Sequence, residues 1–228
     1  MDAREIALKI LNEVHVNDAY ANVALSRELR RERLSEQDRR FVTELVYGAV
    51  KAGATLDWMI RRYVNRPLKK IPPIICDVLR LGMYQIFFMD KVPASAACNQ
   101  AVELTKKYGH AGTVKFVNAV LRTAIREPER ADFPDGKGKS TENLALRSQH
   151  PEWLVKKWIR QFGFDETVQL CDFDNESAIL SLRTNTLKTE RSTLLQQLAD
   201  EGAVCYESER TTEGILCTEH ASLDHMAS

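Results

Sequence analysis

Pro72-Pro73-Ile74-Ile75-Cys76-Asp77-Val78-Leu79-Arg80-Leu81-Gly82-Met83-Tyr84-Gln85-Ile86-Phe87-Phe88 decides the fold. The two prolines stand in a first helical turn, where a missing N–H costs nothing. Behind them the apolar residues cover nearly the whole circumference, which predicts a buried central helix wrapped by others. Pro93 breaks it.

The flanking sequence supplies the wrapping helices. Ala3, Ile6, Ala7, Ile10, Leu11 and Val14 repeat at the spacing of an amphipathic helix. Asn22 to Glu32 predicts a second helix. Ser35 with Asp38 is a capping-box variant opening a third, which turns Phe41, Leu45, Val46 and Ala49 inward and ends at Gly53. Thr55 to Val64 predicts a fourth, stopped by Pro67; Ala94 to Lys107 and Gly112 to Arg126 complete a bundle of about seven. Residues 128–143, with Pro134 and Gly136-x-Gly138, read as a linker or long exposed loop. The pattern then changes. Pro151 to Phe162 predicts a helix with Trp153, Leu154, Trp158 and Ile159 on one face, and Asp165 caps another through Leu170. Ala178–Arg183 alternates as a strand, Arg191–Glu201 is a helix ended by Gly202, and Ala203–Tyr206 and Gly214–Cys217 are further strands. The expected fold class is therefore mainly α: a helical bundle over 1–128, a linker over 129–144, and a small α+β subdomain, ferredoxin-like or RRM-like, over 145–228.

The 228 residues are 44% hydrophobic and 28% charged, an ordinary globular balance. No apolar run is long enough for a membrane span, and Met1-Asp2-Ala3-Arg4-Glu5 does not open a secretory signal. The five scattered cysteines form no C-x-x-C pair, which predicts buried or reduced thiols in a cytoplasmic protein, with no metal site and no disulfide. The net charge of zero conceals an asymmetry. Residues 1–130 carry 22 Lys and Arg against 15 Asp and Glu, and 131–228 carry 10 against 17. A basic front predicts a polyanion-binding domain.

Arg61-Arg62-Tyr63-Val64-Asn65-Arg66-Pro67-Leu68-Lys69-Lys70 is the sharpest patch: five cations, one aromatic and no acid. A phosphate backbone selects for that footprint, although a solvated helix end would also attract cations. Arg27, Arg30, Arg31, Arg33, Arg39 and Arg40 form a second cluster, which Glu28, Glu32, Glu36 and Asp38 dilute through intra-helix ion pairs. Lys106, Lys107 and Lys115 flank the Tyr108-Gly109-His110 turn and are weighed in the same way. Arg80, Gln85, Asn99, Asn118 and Arg122 are polar residues in apolar helices; hydrogen bonding between helices is their first reading and an RNA groove their second. His150 is assigned a capping role before the proline-started helix. Arg183-Thr184-Asn185 ends the first strand of the second subdomain, and a strand-end turn is its plain reading.

Several stretches carry a resemblance: Asp38–Gly48, Leu79–Gln85, Val92–Glu103, Phe116–Arg122, His150-Pro151-Glu152-Trp153-Leu154-Val155 and Leu182-Arg183-Thr184-Asn185. In this order they resemble the front part of bacterial 16S rRNA (cytosine-C5)-methyltransferases of the B family, which open with a helical RNA-binding domain like that of the antitermination factor NusB. The resemblance implies a NusB-like bundle, 16S rRNA as partner and S-adenosylmethionine as cofactor of the full-length family. It implies an RNA-facing role for Arg4. The family's nucleophilic cysteines follow Pro or Thr, and none of Cys76, Cys98, Cys171, Cys205 and Cys217 does. A glycine-rich cofactor loop is likewise missing, so no catalytic residue and no cofactor are assigned to this chain. The expected RNA-binding set is Arg4, Arg27, Arg30, Arg61, Arg62, Arg66, Lys69, Lys70, Lys106, Lys107 and Lys115. Past Gly214 the pattern fades, and Leu223 and Met226 lack a partner segment, which reads as a piece of a longer protein. The alternative is a NusB-like antitermination factor with a ribosomal-protein partner. A helical protein-interaction domain without RNA is a third class.

Overall fold

The computed structural model describes residues 2–133, 140–176 and 178–219. Gly136, Gly138, Leu223 and Met226 lie outside them. The chain divides into two compact units, 1–172 and 173–228.

The first unit is helical. Its bundle comprises α1 (Ala3–Asn17), α2 (Ala21–Arg31), α3 (Glu36–Lys51), α4 (Gly53–Arg61), α5 (Pro73–Phe88), α6 (Ala94–Tyr108) and α7 (Ala111–Arg126). The apolar segment is central as its composition predicts: α5 packs against α1, α3, α4, α6 and α7. Pro73 opens α5 and Pro72 stands just before it. Ile75, Val78, Leu79, Leu81 and Met83 are fully buried, with Ile6, Leu45, Leu56 and Leu121 closing around them. Two glycines set how closely helices approach. A methyl group at Gly48 would lie 2.0 Å from the Tyr84 ring, and one at Gly82 would lie 2.8 Å from Leu121.

The Ser35 cap forms, with its hydroxyl accepting from the Asp38 N–H at 3.1 Å. Gly53 does not end α3; it begins α4, and Ala52 is buried at the join. The region read as a linker also holds structure. Pro128–Ala131 is a short 3-10 turn, and Thr141–Ser148 forms α8, capped by the Ser140 hydroxyl. Thr55 Oγ1 donates to the Leu146 carbonyl at 2.8 Å, which ties α8 to α4. With α9 (Glu152–Phe162) and α10 (Phe164–Asn175), α8 closes a small core of Ala145, Val155 and Cys171. Only Val155 of α9 is buried. Trp153 is 67% exposed, while Leu154, Trp158 and Ile159, read on one face with it, are half-buried. The His150 ring Nδ1 lies 2.7 Å from the Ser148 carbonyl and its edge meets Trp158, while Pro151 stands at the start of α9.

The second unit is β1 (Leu180–Arg183), α11 (Arg191–Asp200), β2 (Val204–Glu207) and β3 (Gly214–Glu219). The sheet is antiparallel, in the order β1-β3-β2. Leu198, Ile215 and Cys217 form its core with Leu180, Leu182 and Leu194. Gly202 takes φ +85° after α11, a left-handed conformation that suits a residue without Cβ. Cys205 and Cys217 face each other across β2 and β3 and form a disulfide, which corrects the expectation of none. Strand register brings them together, and sequence spacing does not display register. Cys76, Cys98 and Cys171 are buried and lie outside this disulfide. No helix among the described residues is long and apolar enough to cross a membrane.

Candidate nucleic-acid interface

The structure sorts the predicted cations by what holds them. Arg27 is committed: its guanidinium meets Glu13 at 3.1 and 2.5 Å and Glu28 at 3.2 Å. Lys106 pairs with Glu103 at 2.6 Å, and Lys107 with Glu5 at 2.7 Å. Hydrogen bonding from Lys107 holds the Glu5 carboxyl below the ordinary carboxylate range, against a smaller opposing effect of burial. Arg4 is half-buried; its Nε donates to Gln85 Oε1 at 2.7 Å and its guanidinium lies 4.7 Å over the Phe41 ring.

The segment after α4 differs. Arg61, Arg62, Arg66, Lys69 and Lys70 are all exposed, and none forms an ion pair with a described residue. Two of them rest on aromatic faces. Arg62 lies 4.4 Å over Trp58, which itself stacks on Phe133, and Arg66 lies 4.0 Å over Phe116 of α7. Stacking occupies the face of a guanidinium and leaves its in-plane N–H edge outward, the edge that grips a phosphate. Arg66 thereby borders a depression of about 350 Å³ shared by Tyr63, Phe116, Ala119 and Thr123. Tyr63 is fixed beneath by its hydroxyl, which donates to the Glu127 carbonyl at 2.9 Å. Lys115, next to Phe116 on α7, is exposed and meets no acid among the described residues. Arg30 is exposed on α2 and likewise forms no such pair.

The polar residues of the apolar helices divide too. Arg80 binds Asp57 at 2.8 and 3.1 Å and the fully buried Asp77 at 2.7 Å, which His15 and Asn12 also reach. Burial opposes the Arg80 charge; the carboxylates overcome it and raise its pKa. Gln85 receives Arg4 and donates to the Leu81 carbonyl. These two are structural. Asn99, Asn118 and Arg122 instead line a groove between α6 and α7. In the second unit, the Asn185 side chain accepts from the Leu187 N–H at 3.2 Å, forming the strand-end turn the sequence suggests.

Sequence reasoning missed the aromatic platforms. Trp58 and Arg62 stand one helical turn apart, a legible spacing; Arg66 and Phe116 meet only through the fold. Burial raises the pKa of the Cys76 and Cys98 thiols. Among the described residues, the single strand-to-helix crossing, Thr184 to Glu190, contains no glycine of the kind that admits a close backbone approach to S-adenosylmethionine.

The NusB family model matches residues 1–126, more than half of the chain. The chain belongs to the NusB family. A second model, the ferredoxin-like domain of the RsmF/B-like methyltransferases, matches residues 150–224. The chain is 38% identical over 201 residues to a probable ribosomal RNA small subunit methyltransferase B of Bacillus subtilis (strain 168), covering 87% of this chain and 44% of that relative. It thus spans less than half the length of that relative. Among solved structures it is similar to the crystal structure of PH0851, with a TM-score of 0.66, 19% identity and coverage of 98% of this chain and 50% of that one. It is also similar to the antitermination factors NusB and NusE in complex with dsRNA, with a TM-score of 0.50, 21% identity and coverage of 55% of this chain and 94% of that one. Both likenesses concern the fold.

Proposed function

We propose that this NusB-family chain is the RNA-docking part of an S-adenosylmethionine-dependent 16S rRNA (cytosine-C5)-methyltransferase. The observation that carries the reading is the segment Arg61–Lys70, five cations without an acid partner among the described residues, two of them laid on aromatic rings. Lys115 extends this surface onto α7, and Arg30 offers a further cation on α2. Arg4, Arg27, Lys106 and Lys107 serve it less directly, because each is already engaged. The ferredoxin-like match over 150–224 and the relative named a methyltransferase support this reading. The chain holds rRNA, and methyl transfer belongs to residues it does not contain. The site of action is the cytoplasm, where rRNA is modified.

Fluorescence anisotropy with single-stranded RNA across a salt series tests the proposal. Log affinity should fall linearly with log salt, by about 0.7 per phosphate neutralised. Absence of binding at low salt would remove the RNA reading, and methyl transfer by this chain alone would remove its division of labour. A second reading, an antitermination factor, draws on the similarity of the first half to NusB bound to NusE and dsRNA. It requires that RNA binding depend on a ribosomal protein.

A further inference from the structure

Two depressions of about 440 and 420 Å³ lie between α6 and α7 and share Asn99 and Arg122, so they form one groove. Each falls in the range of roughly 300–1,000 Å³ typical of small-ligand sites. Cys98, Val102, Val114 and Ile125 give the groove apolar walls; Asn99, Asn118, Lys115 and Arg122 give it polar ones. Its charge is uncompensated. The carboxylate of Glu103 is held by Lys106 at 2.6 Å, while Lys115 and Arg122 meet no acid among the described residues.

The amides are oriented for use. Arginine only donates, so the Asn118 atom 2.9 Å from Arg122 Nε is the amide oxygen. Asn118 therefore presents its NH2 group, and that group makes no hydrogen bond to a described residue. Asn99 is exposed and its side chain has no described partner at all. Free amides between apolar walls, beside unpaired cations, match an unstacked nucleobase with its phosphate. The groove also adjoins the docking surface. Lys115 lines it, while the next residue, Phe116, lies beneath Arg66 on the other flank of α7.

We propose that the α6–α7 groove receives one unpaired nucleobase of the bound RNA. The acceptor-bearing edge of the base lies on the Asn118 and Asn99 amides, and a flanking phosphate lies on Lys115 and Arg122. This inference rests on the RNA-docking reading and adds base recognition to it. The strand crosses α7, gripped by its backbone on the Arg66 side and read by a base on the Asn118 side.

The test compares a mixed-sequence single-stranded RNA of about twelve nucleotides with an oligomer of equal length whose nucleotides lack bases. The wild-type chain should prefer the base-bearing strand about tenfold. Asn99→Ala should reduce that preference several-fold and leave affinity for the abasic strand unchanged, and Asn99→Ala with Asn118→Ala should reduce it to within about twofold. Asn99 is exposed and unpartnered, so its single variant keeps the fold intact. A preference that survives both variants, or equal binding of the two strands by the wild type, overturns the groove while leaving RNA docking in place. Failure of the wild type to bind either strand overturns the docking reading itself.

Discussion

Two cation-rich stretches of the same bundle, one interspersed with acids and one without any, differ in what their charge can do. In the stretch 27–40, Arg27 is clasped by Glu13 and Glu28, Arg40 pairs with Glu36 at 3.5 Å, and Arg39 donates to the Leu29 carbonyl at 2.7 Å, while Arg30 meets no acid among the described residues. In the stretch 61–70 none of the five cations meets an acid among the described residues, and two lie on aromatic rings. A count of basic residues measures neither. The quantity that matters for a phosphate is the charge left over after intramolecular pairing, together with how firmly its carrier is held.

Arg80 extends the comparison to its extreme, since all its charge is spent inside. Arg80→Met should destabilise the fold by about 3 kcal/mol, because Asp77 would keep its burial and lose its main counter-charge. Urea unfolding measures this, and a loss below about 1 kcal/mol would show that His15 and Asn12 suffice for Asp77. Next in size is Arg66→Gln, which removes one stacked cation. It should weaken RNA binding several-fold and reduce the salt slope by about 0.7, with unfolding unchanged. A larger loss for Arg27→Ala than for Arg66→Gln would reverse the comparison; the expected change for Arg27→Ala is small in both RNA affinity and unfolding midpoint.

The smallest effect concerns pH. The folded state depresses the Glu5 pKa, chiefly through the Lys107 hydrogen bond. A depressed acid contributes stability that is complete above its unfolded pKa of about 4.3 and is lost as pH falls through the lower folded value. NMR titration of Glu5 should show that lowered midpoint, and Lys107→Ala should move it back toward 4.3. An unmoved midpoint would mean that Lys107 is not committed to Glu5 and remains available to RNA.

Sequence displayed the parts of the molecule whose signals are local. The all-round apolar face of α5, the Ser35 cap and the Gly202 stop each act through neighbours a few residues away, and each is found in place. Contacts set by tertiary approach were hidden. Gly48 is needed against Tyr84, far along the chain in the central helix, and nothing beside it in sequence says so. The disulfide depends on register between β2 and β3, and α8 lies in a stretch whose polar, turn-forming residues outweigh its short apolar pattern. The candidate interface divides in the same way. The run of cations at 61–70 was legible because no acid interrupts it. The pairing of Arg27 with Glu13, and the seating of Arg66 on Phe116, needed the helices to be packed.

The central claim is that leftover charge at 61–70 binds RNA, and one measurement addresses it directly. The salt dependence of single-stranded RNA affinity would be compared between the wild-type chain and the variant carrying Arg61→Ala, Arg62→Ala, Lys69→Ala and Lys70→Ala. The account predicts a slope of log affinity on log salt that is shallower by about 2 to 3 in the variant, with the folded state retained. An unchanged slope would contradict it and place the RNA contacts elsewhere on the bundle.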